Sequence, residues 1–210
     1  MTLKAFFGGS FDPPHPGHLG VARAAIASGK CDEVVWFPGF LPPHKQNTGR
    51  APFIHRLAMV QLLIAGEKNM SASDFENQLQ LSPSYTLTIL RKLREMTGEN
   101  YLLLIGADSL MNLHTWYHAG ELVHEFGIIT YPRNNCPVSW EYLCRFWDKK
   151  NAGKLFDSQI PGTFFEISSS EVRNSMEKNS SMGNIISRTG LTAEVAGYIE
   201  EHRLYQNKKG

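Results

Sequence analysis

The turn that follows the first predicted strand constrains this fold more than any other stretch. An apolar run over residues 3–7 has the length and composition of a buried strand, and Gly8 and Gly9 end it without Cβ atoms. Apolar residues then recur at helical spacing, which predicts a helix whose start carries His15 and His18. We therefore predict a strand, a tight turn and a helix, and a ligand can approach this turn closely.

The two histidines at this predicted helix start indicate a binding site for phosphate groups. His15 and His18 are three residues apart, so their side chains can face the same side. Free N–H groups and the helix dipole favour an anion at a helix N-terminus, and two imidazoles can add hydrogen bonds to a polyphosphate. The stretch has neither the GxGxxG spacing of the dinucleotide-binding fingerprint nor the GxxxxGK spacing of the P-loop, so both are excluded. The alternative is a pair of surface histidines beside a proline-rich turn, and the strand, double glycine and helix in register argue against it.

Composition limits the classes of protein to which the chain can belong. Its 210 residues are 42% hydrophobic and 20% charged, as in a soluble globular protein, and we predict a single domain over residues 1–210. A net charge of +1 argues against a nucleic-acid partner. The chain lacks a signal-peptide pattern and an apolar run long enough to cross a membrane, so we expect a cytoplasmic protein without a membrane partner. The chain has an odd number of cysteines and no Cys-x-x-Cys spacing. We therefore interpret Cys31, Cys136 and Cys144 as free thiols.

Alternating strand and helix patterns predict an α/β fold with a parallel sheet. The first strand, the first helix and the second strand are joined by short connections, which implies a parallel unit. The predicted strands cover residues 3–7, 33–37, 70–75, 101–105, 126–131 and 163–167. The remaining predictions are an irregular segment at residues 76–82, an excursion from the sheet at residues 132–161 with an amphipathic helix around residues 140–147, and a helical cap near residues 192–202.

A proline-rich loop follows the second predicted strand and carries His44 and Lys45. The prolines hold it extended, and it leaves the carboxyl end of its strand, which is the edge where α/β sheets bind ligands. A cation at this loop tip suits a phosphate, although most exposed lysines are only solvated. Arg56, near the start of the next helix, is interpreted as a surface arginine.

The helix start at Ser84, Tyr85 and Thr86 is a further candidate contact for a ligand. Ser84 or the nearby Ser82 can cap this helix. Free N–H groups at such a start suit the carboxylate of a substrate as well as a phosphate. An ordinary N-cap and a ligand contact are compatible with each other.

The most apolar predicted strand ends at Gly106, and Asp108 follows it. Asp108 can cap the next helix, accept hydrogen bonds from ribose hydroxyls or hold a hydrated magnesium ion. Trp116 lies further along, where its ring can stack on a heteroaromatic ligand or pack in the core. From the residues alone, we favour the core.

A serine-rich helix start after the last predicted strand forms a second candidate phosphate site. Ser168 and Glu171 have the spacing of a capping box. Hydroxyls, backbone amides and Arg173, one turn further on, would meet at this helix N-terminus. Arg133 follows the end of the preceding predicted strand.

The order of these motifs resembles one known family. The superfamily signature of the nucleotidylyltransferases is similar to Gly8-Gly9-Ser10-Phe11-Asp12-Pro13 followed by His15-x-Gly17-His18. With the later motifs, the chain resembles bacterial nicotinate-nucleotide adenylyltransferase over nearly its whole length. The resemblance implies a Rossmann-like parallel sheet with helices on both faces. It also implies transfer of an adenylyl group from ATP to nicotinate mononucleotide, giving deamido-NAD and pyrophosphate, with Mg²⁺ bound mainly through the ATP phosphates. The sequence leaves open whether the protein forms a homo-oligomer.

The resemblance assigns three groups of site residues and no metal ligand. It implies catalytic roles for His15, His18 and Arg173. The ATP-binding residues it implies are Gly8, Gly9, Ser10, Phe11, His15, His18, Gly106, Asp108, Ile167, Ser168, Ser169 and Arg173. The mononucleotide-binding residues it implies are His44, Lys45, Ser84, Tyr85, Thr86, Asp108, Trp116, Tyr117 and Arg133. In this picture Trp116 stacks on the pyridine ring, and backbone amides near Thr86 and Tyr117 receive its carboxylate.

The chain departs from the family pattern at two places. Glu166 stands where the family commonly has proline, and Pro14 and Pro16 flank the first histidine where larger residues are usual. The nearest rival enzyme is pantetheine-phosphate adenylyltransferase, which shares the first motif but lacks the serine–tyrosine–threonine motif and the aspartate–tryptophan pair. A non-catalytic nucleotide sensor on the same scaffold would be expected to lose His18 or Arg173, and both are present.

Overall fold

A parallel five-stranded sheet forms the centre of the protein. The computed structural model describes residues 2–40, 50–81, 83–134, 136–162, 167–177 and 181–206. Within these residues the strands are β1 (Lys4–Gly9), β2 (Glu33–Pro38), β3 (Met70–Ala72), β4 (Tyr101–Gly106) and β5 (Ile128–Tyr131). Their order across the sheet is β3-β2-β1-β4-β5. The predicted parallel α/β sheet is confirmed.

Helices cover the sheet along the described parts of the chain. They are α1 (Pro16–Ala27), α2 (Phe53–Ile64), α3 (Phe75–Leu79), α4 (Thr86–Thr97), α5 (Ala107–Met111), α6 (Ala119–Glu125), α7 (Trp140–Leu143), α8 (Lys149–Asp157), α9 (Ser169–Glu177), α10 (Met182–Thr189) and α11 (Ala193–Glu201). A short 3-10 turn lies between α5 and α6.

Alternate residues of the strands point into two separate cores. Ala5 and Phe7 of β1 lie in the first core, whereas Phe6 between them lies in the second. Neighbouring residues of β2 divide in the same way, with Trp36 in the first core and Phe37 in the second. Helices α1, α2, α9, α10 and α11 close the first core, and α3 to α8 close the second. Because both faces are buried, the strands are nearly continuous apolar runs.

The strand order reverses between β1 and β4, and this reversal sets the place of the site. β1 pairs with β2 on one side and with β4 on the other. Open α/β sheets bind ligands outside the carboxyl ends of their strands at such a point. β1 ends at Gly9 and β4 ends at Gly106, so both glycine-marked turns lie at this edge.

The prediction of an irregular segment at residues 76–82 is wrong for residues 76–79, because helix α3 covers them. β3 ends at Ala72, and Phe75 enters α3 with its side chain in the second core. Gln80 ends this helix in the left-handed conformation, with a φ of +46°. The helix is one turn long, which is too short for its apolar spacing to stand out in the sequence.

The described residues of the segment 132–161 contain two helices, where the sequence predicted one. The helix predicted around residues 140–147 is the shorter α7. Helix α8 was missed, although Asp148 marks its start: Oδ1 of Asp148 accepts a hydrogen bond from the backbone N–H of Asn151 at 2.9 Å. An aspartate at this position is a common cap, so the sequence carried a local signal.

Two predicted features lie outside the described residues. His44 and Lys45 belong to residues 41–49. Of the strand predicted at residues 163–167, only Ile167 is described, and it lies in neither a helix nor a strand.

The three cysteines are free thiols at different depths. Cys31 is buried, Cys136 is half-buried and Cys144 is exposed. Burial raises the pKa of Cys31 to about 11, so its thiol is unreactive at neutral pH. None of the described helices is both long enough and apolar enough to cross a membrane.

The contact between Gly9 and the Phe11 ring gives a test of this packing. A Cβ at Gly9 would lie 2.7 Å from a carbon of that buried ring. Gly9→Ala should therefore lower the free energy of unfolding by about 1–3 kcal/mol, the usual cost of overpacking. In the control Gly197→Ala, on α11, nothing lies within 4 Å of the new Cβ, and stability should rise by about 0.5–1 kcal/mol. Urea unfolding measures both changes, and equal effects would contradict the packing.

Candidate active site

Helix α1 begins at the pair His15 and His18. His15 precedes the helix in an extended conformation, and its backbone N–H donates to Nδ1 of His18 at 3.3 Å. The ring centroids lie 3.8 Å apart. Because Nδ1 of His18 accepts a hydrogen bond, the proton of the neutral ring lies on Nε2, which is left as a donor. Nδ1 of His15 is buried and has no hydrogen-bond partner among the described residues.

Both histidines are neutral at physiological pH in the free protein. Burial lowers the pKa of His15 to about 4, and the nearby Arg133 guanidinium adds to the effect. Burial also lowers the pKa of His18 well below its ordinary value, with further contributions from His15 and Arg133. The histidines therefore offer N–H donors that carry no fixed positive charge.

Tight packing sets the shape of the turn between β1 and α1. Phe11 has a φ of +47°, and its buried ring packs against Trp36. A Cβ at Gly17 would lie 3.0 Å from the His15 ring and 3.1 Å from the Ile167 side chain. Glycine is therefore needed where α1 begins. Phe11 can offer a ligand its backbone only, because its side chain is enclosed.

The start of α9 is fixed against the start of α1. The N–H of Ser168 donates to Oε2 of Glu171 at 2.7 Å, and the N–H of Glu171 donates to Oγ of Ser168 at 3.2 Å, so the predicted capping box is present. Oγ of Ser169 donates to the carbonyl oxygen of Pro13 at 2.9 Å. Nη1 of Arg173 donates to the carbonyl oxygen of Asp12 at 2.5 Å. Two helix N-termini and a guanidinium therefore meet at the turn after β1.

Arg133 and Asp108 extend the site at the ends of β5 and β4. Nε of Arg133 lies 3.6 Å from Oδ1 of Asp108 and has no hydrogen-bond partner among the described residues. A Cβ on Gly106 would collide with the Asp108 carboxylate and crowd Arg133, so glycine leaves room for both. The charge of Arg133 lowers the pKa of His15 and of His18. Arg133 therefore stands beside the histidines, and its contact with a mononucleotide stays a prediction.

A cavity of about 510 Å³ lies beside this turn. It brings together segments that are far apart in the chain: the turn after β1, the start of α4 and the residues after the 3-10 turn. The lining residues already named from the sequence are Gly8, Gly9, Ser10, Ser84, Tyr85, Thr86, Trp116 and Tyr117. Asp108 and Arg133 do not line it, and the Asp108 side chain is exposed.

Aromatic side chains form one wall of the cavity. The rings of Tyr85 and Tyr117 are stacked, with 4.2 Å between their centroids and 14° between their planes. Trp116 is half-buried, lines the cavity and packs against the second core. The core interpretation and the ligand interpretation of Trp116 are therefore compatible.

Ser84 is not the N-cap residue of α4, and Ser82, the other candidate cap, lies outside the described residues. The helix begins at Thr86, and Tyr85 occupies the N-cap position without a side-chain hydrogen bond to the helix. Ser84 is buried, and its hydroxyl forms a hydrogen bond with the Glu76 carboxyl group. No side chain of the described residues therefore caps the N–H groups at the start of α4 beside the cavity.

Glu76 is a buried carboxyl group at the cavity that the sequence analysis missed. Its Oε2 accepts a hydrogen bond from the backbone N–H of Phe40 at 3.1 Å, and it also bonds with Ser84. Burial raises the pKa of Glu76 to about 7, although these hydrogen bonds and the charge of Arg56 act in the opposite direction. Glu76 joins the loop after β2 to the segment before α4.

Arg56 is buried, so its interpretation as a surface arginine is wrong. Its Nε donates to the carbonyl oxygen of Ala51 at 3.0 Å, Nη1 to that of Ser10 at 2.8 Å and Nη2 to that of Gly39 at 2.8 Å. The guanidinium of Arg50 also donates to Oγ of Ser10. One buried cation therefore ties the turn after β1 to the end of β2.

The chain is similar to known proteins over nearly its whole length. A sequence model of the cytidylyltransferase-like family matches residues 6–175. The nicotinate-nucleotide adenylyltransferase of Bacillus subtilis is 30% identical over 99% of this chain and 100% of its own length. A "Probable nicotinate-nucleotide adenylyltransferase" of Desulfotalea psychrophila is 31% identical over 98% of this chain and 100% of its own.

A solved structure gives the same fold. The nicotinic acid mononucleotide adenylyltransferase of Plasmodium falciparum, complexed with NaAD, matches with a TM-score of 0.76, 20% identity and coverage of 98% of each chain. At this identity the likeness establishes the fold, a Rossmann-like sheet with helices on both faces, as predicted.

The raised pKa of Glu76 gives a test of its burial. Because the folded-state pKa lies above the ordinary value, stability decreases as pH rises from about 4.5 to 7, and Glu76→Gln removes this loss. The variant keeps an acceptor for Phe40 and offers a donor to Ser84. Relative to the unmodified protein, it should gain about 3 kcal/mol of unfolding free energy between pH 4.5 and 8. Urea unfolding at both pH values measures the change, and a constant difference would show that Glu76 is not buried.

Proposed function

Since this chain belongs to the family of nicotinate-nucleotide adenylyltransferases, we propose that it transfers the adenylyl group of ATP to nicotinate mononucleotide, giving deamido-NAD and pyrophosphate. The observation that carries this proposal is a convergence at one sheet edge. The starts of α1 and α9, with His18 and Arg173, meet beside a cavity of about 510 Å³ that carries the uncapped start of α4. The two helix starts suit a triphosphate, and the cavity suits a second nucleotide.

The triphosphate binds, in this proposal, at the turn after β1. Gly8 and Gly9 let it approach the backbone, and the N–H groups at the start of α1 face its charge. His18 donates from Nε2, and Arg173 adds a fixed positive charge from α9. These donors are held by protein contacts before a ligand arrives, so little reorganisation is needed during the reaction.

The reaction joins two anions and needs no general base. A phosphate oxygen of the mononucleotide attacks the α-phosphorus of ATP, and the bond from that phosphorus to the bridging oxygen of pyrophosphate breaks. The attacking phosphate has a second pKa near about 6 and is already a dianion at neutral pH. Neutral histidines suit this chemistry, because their task is to donate hydrogen bonds to the charge that develops on the phosphoryl oxygens.

We propose that Mg²⁺ arrives with the ATP phosphates. Among the described residues, no group of three or more His, Cys, Asp or Glu side chains is placed to hold a metal ion. Mg²⁺ usually keeps several waters and binds through one or two carboxylates together with the phosphates of its substrate. Asp108, with its exposed carboxylate at the end of β4, would hold it through water. When bound, the ion neutralises part of the phosphate charge.

The mononucleotide occupies the cavity in this proposal. The half-buried Trp116 presents its ring to the pyridine, and the stacked Tyr85 and Tyr117 form the adjoining wall. The ring carboxylate meets the uncapped N–H groups near Thr86, where the α4 dipole favours negative charge. Asp108, just after the end of β4, accepts hydrogen bonds from a ribose in this proposal.

The start of α4 predicts the choice of mononucleotide. Nicotinamide presents an NH₂ group where nicotinate presents a carboxylate, and this would leave N–H donors unpaired. We therefore expect a preference for nicotinate mononucleotide of at least about 100-fold in kcat/KM. Pyrophosphate release from ATP is measured with the nicotinate, nicotinamide and pantetheine phosphates side by side. Equal efficiency on the two mononucleotides would widen the substrate assignment, and turnover of pantetheine phosphate alone would replace it.

The role of His18 is tested by two variants. His18→Asn keeps an acceptor for the N–H of His15 but removes the Nε2 donor, whereas His18→Ala removes both. Turnover should fall at least about 100-fold in each, the usual cost of losing one preorganised donor. His124→Asn, on the exposed side of α6, is the control and should keep normal turnover. Near-normal turnover of His18→Asn would refute the assignment.

A further inference from the structure

Asp12 is a buried carboxylate in the turn between β1 and α1, and the reaction proposed above gives it no role. Only 3% of the surface of Asp12 is exposed to solvent. Oδ1 of Asp12 accepts hydrogen bonds from the N–H of Ala51 at 3.1 Å and from the hydroxyl of Tyr205 at 2.7 Å. Its backbone carbonyl accepts from Nη1 of Arg173, and its Oδ2 lies 3.9 Å from the same nitrogen. Asp12 thus connects a residue near the C-terminus to Arg173.

The chain after α11 holds Tyr205 in place for this bond. Arg203 and Tyr205 have φ values of +51° and +60°, which L-residues rarely adopt. The N–H of Leu204 donates to the carbonyl oxygen of Ile199 at 3.0 Å, and the side chains of Leu204 and Tyr205 pack against the first core. Such backbone conformations cost about 1–3 kcal/mol each, so the contacts of this segment must outweigh that cost.

We propose that Tyr205 is a positioning residue for adenylyl transfer, which holds the Asp12 carboxylate through its hydroxyl and thereby keeps the Arg173 guanidinium available to the ATP phosphates. This inference rests on the function proposed above. Burial and the Asp12 carboxylate both raise the pKa of Tyr205, so its hydroxyl remains a donor throughout the physiological range.

The two donors on Oδ1 keep the carboxylate from pairing directly with Arg173. At 3.9 Å, Oδ2 of Asp12 is too far from Nη1 of Arg173 for a hydrogen bond. Arg56 also faces Asp12, but its nitrogens donate to backbone carbonyls. Without the Tyr205 hydroxyl, only the N–H of Ala51 holds Oδ1, and the carboxylate can turn towards Arg173 more easily. A direct ion pair would then compete with the ATP phosphates for the guanidinium.

The test compares two tyrosine-to-phenylalanine variants of the C-terminal segment. Tyr205→Phe should lower kcat/KM for ATP about 10-fold, the effect expected from one hydrogen bond to a charged group, and change KM for the mononucleotide less than about two-fold. Tyr198→Phe is the control, because the Tyr198 hydroxyl lies 3.0 Å from Nδ1 of His55 and makes no contact with Asp12. It should leave both constants unchanged. A rise in KM for the mononucleotide as large as the loss in kcat/KM for ATP would overturn the proposal.

A double-mutant cycle separates positioning from general support of the fold. In an Arg173→Ala background, Tyr205→Phe should change kcat/KM for ATP less than about two-fold, because the group through which Tyr205 acts is absent. A further loss of about 10-fold in that background would mean that Tyr205 acts independently of Arg173, and would overturn the proposal.

Calorimetric titration with ATP alone keeps the test independent of turnover. It is made at a temperature where circular dichroism shows both variants folded. Weaker ATP binding by Tyr205→Phe than by Tyr198→Phe supports the proposal, and equal binding overturns it. If the unmodified protein binds ATP but releases no pyrophosphate with any mononucleotide, the proposed function fails while this comparison still decides the role of Tyr205.

Discussion

The tight turn between β1 and α1 is the constraint on which the rest of the structure depends. Phe11 fills the space beside Gly9, and Ile167 fills the space beside Gly17, so the turn is confined from both sides. Arg56 holds the same turn through backbone carbonyls. Helix α1, helix α9 and the end of β2 therefore meet at fixed positions before any ligand is present. An anion site made of helix N-termini works only if its N–H groups already point at the ligand, and this packing supplies that orientation.

The parts of the fold and of the site that the sequence predicted are those whose signals are local. A short apolar run, two glycines and helical spacing were sufficient for β1, α1 and the two histidines at the helix start. The capping box of Ser168 and Glu171 is likewise written within four residues. Parallel strands put their carboxyl ends at one edge, and so the predicted turns also came together in space. The cavity that Tyr85 and Trp116 share with Gly9 is the result.

The missed features depend on residues that are far apart in the chain. Arg56 and Glu76 are charged, and charged residues are rarely buried, so the sequence favoured exposed positions for both. Backbone carbonyls from two other segments make the burial of Arg56 possible, and no local pattern contains them. Asp12 and Tyr205 are separated by 193 residues and meet only in the folded chain. Helix α3 is too short for its apolar residues to repeat at helical spacing. Helix α8 does have a local signal, the capping residue Asp148, from which the helix could have been predicted.

The neutrality of the two histidines bears on how the site lets its products go. Burial, with a contribution from the nearby Arg133, keeps His15 and His18 uncharged in the free protein, so they meet a polyphosphate as neutral hydrogen-bond donors. A permanent cluster of cations would hold pyrophosphate as firmly as it holds the triphosphate. Because the two imidazoles are neutral, the start of α1 attracts the triphosphate without adding two fixed positive charges from which the departing pyrophosphate must separate.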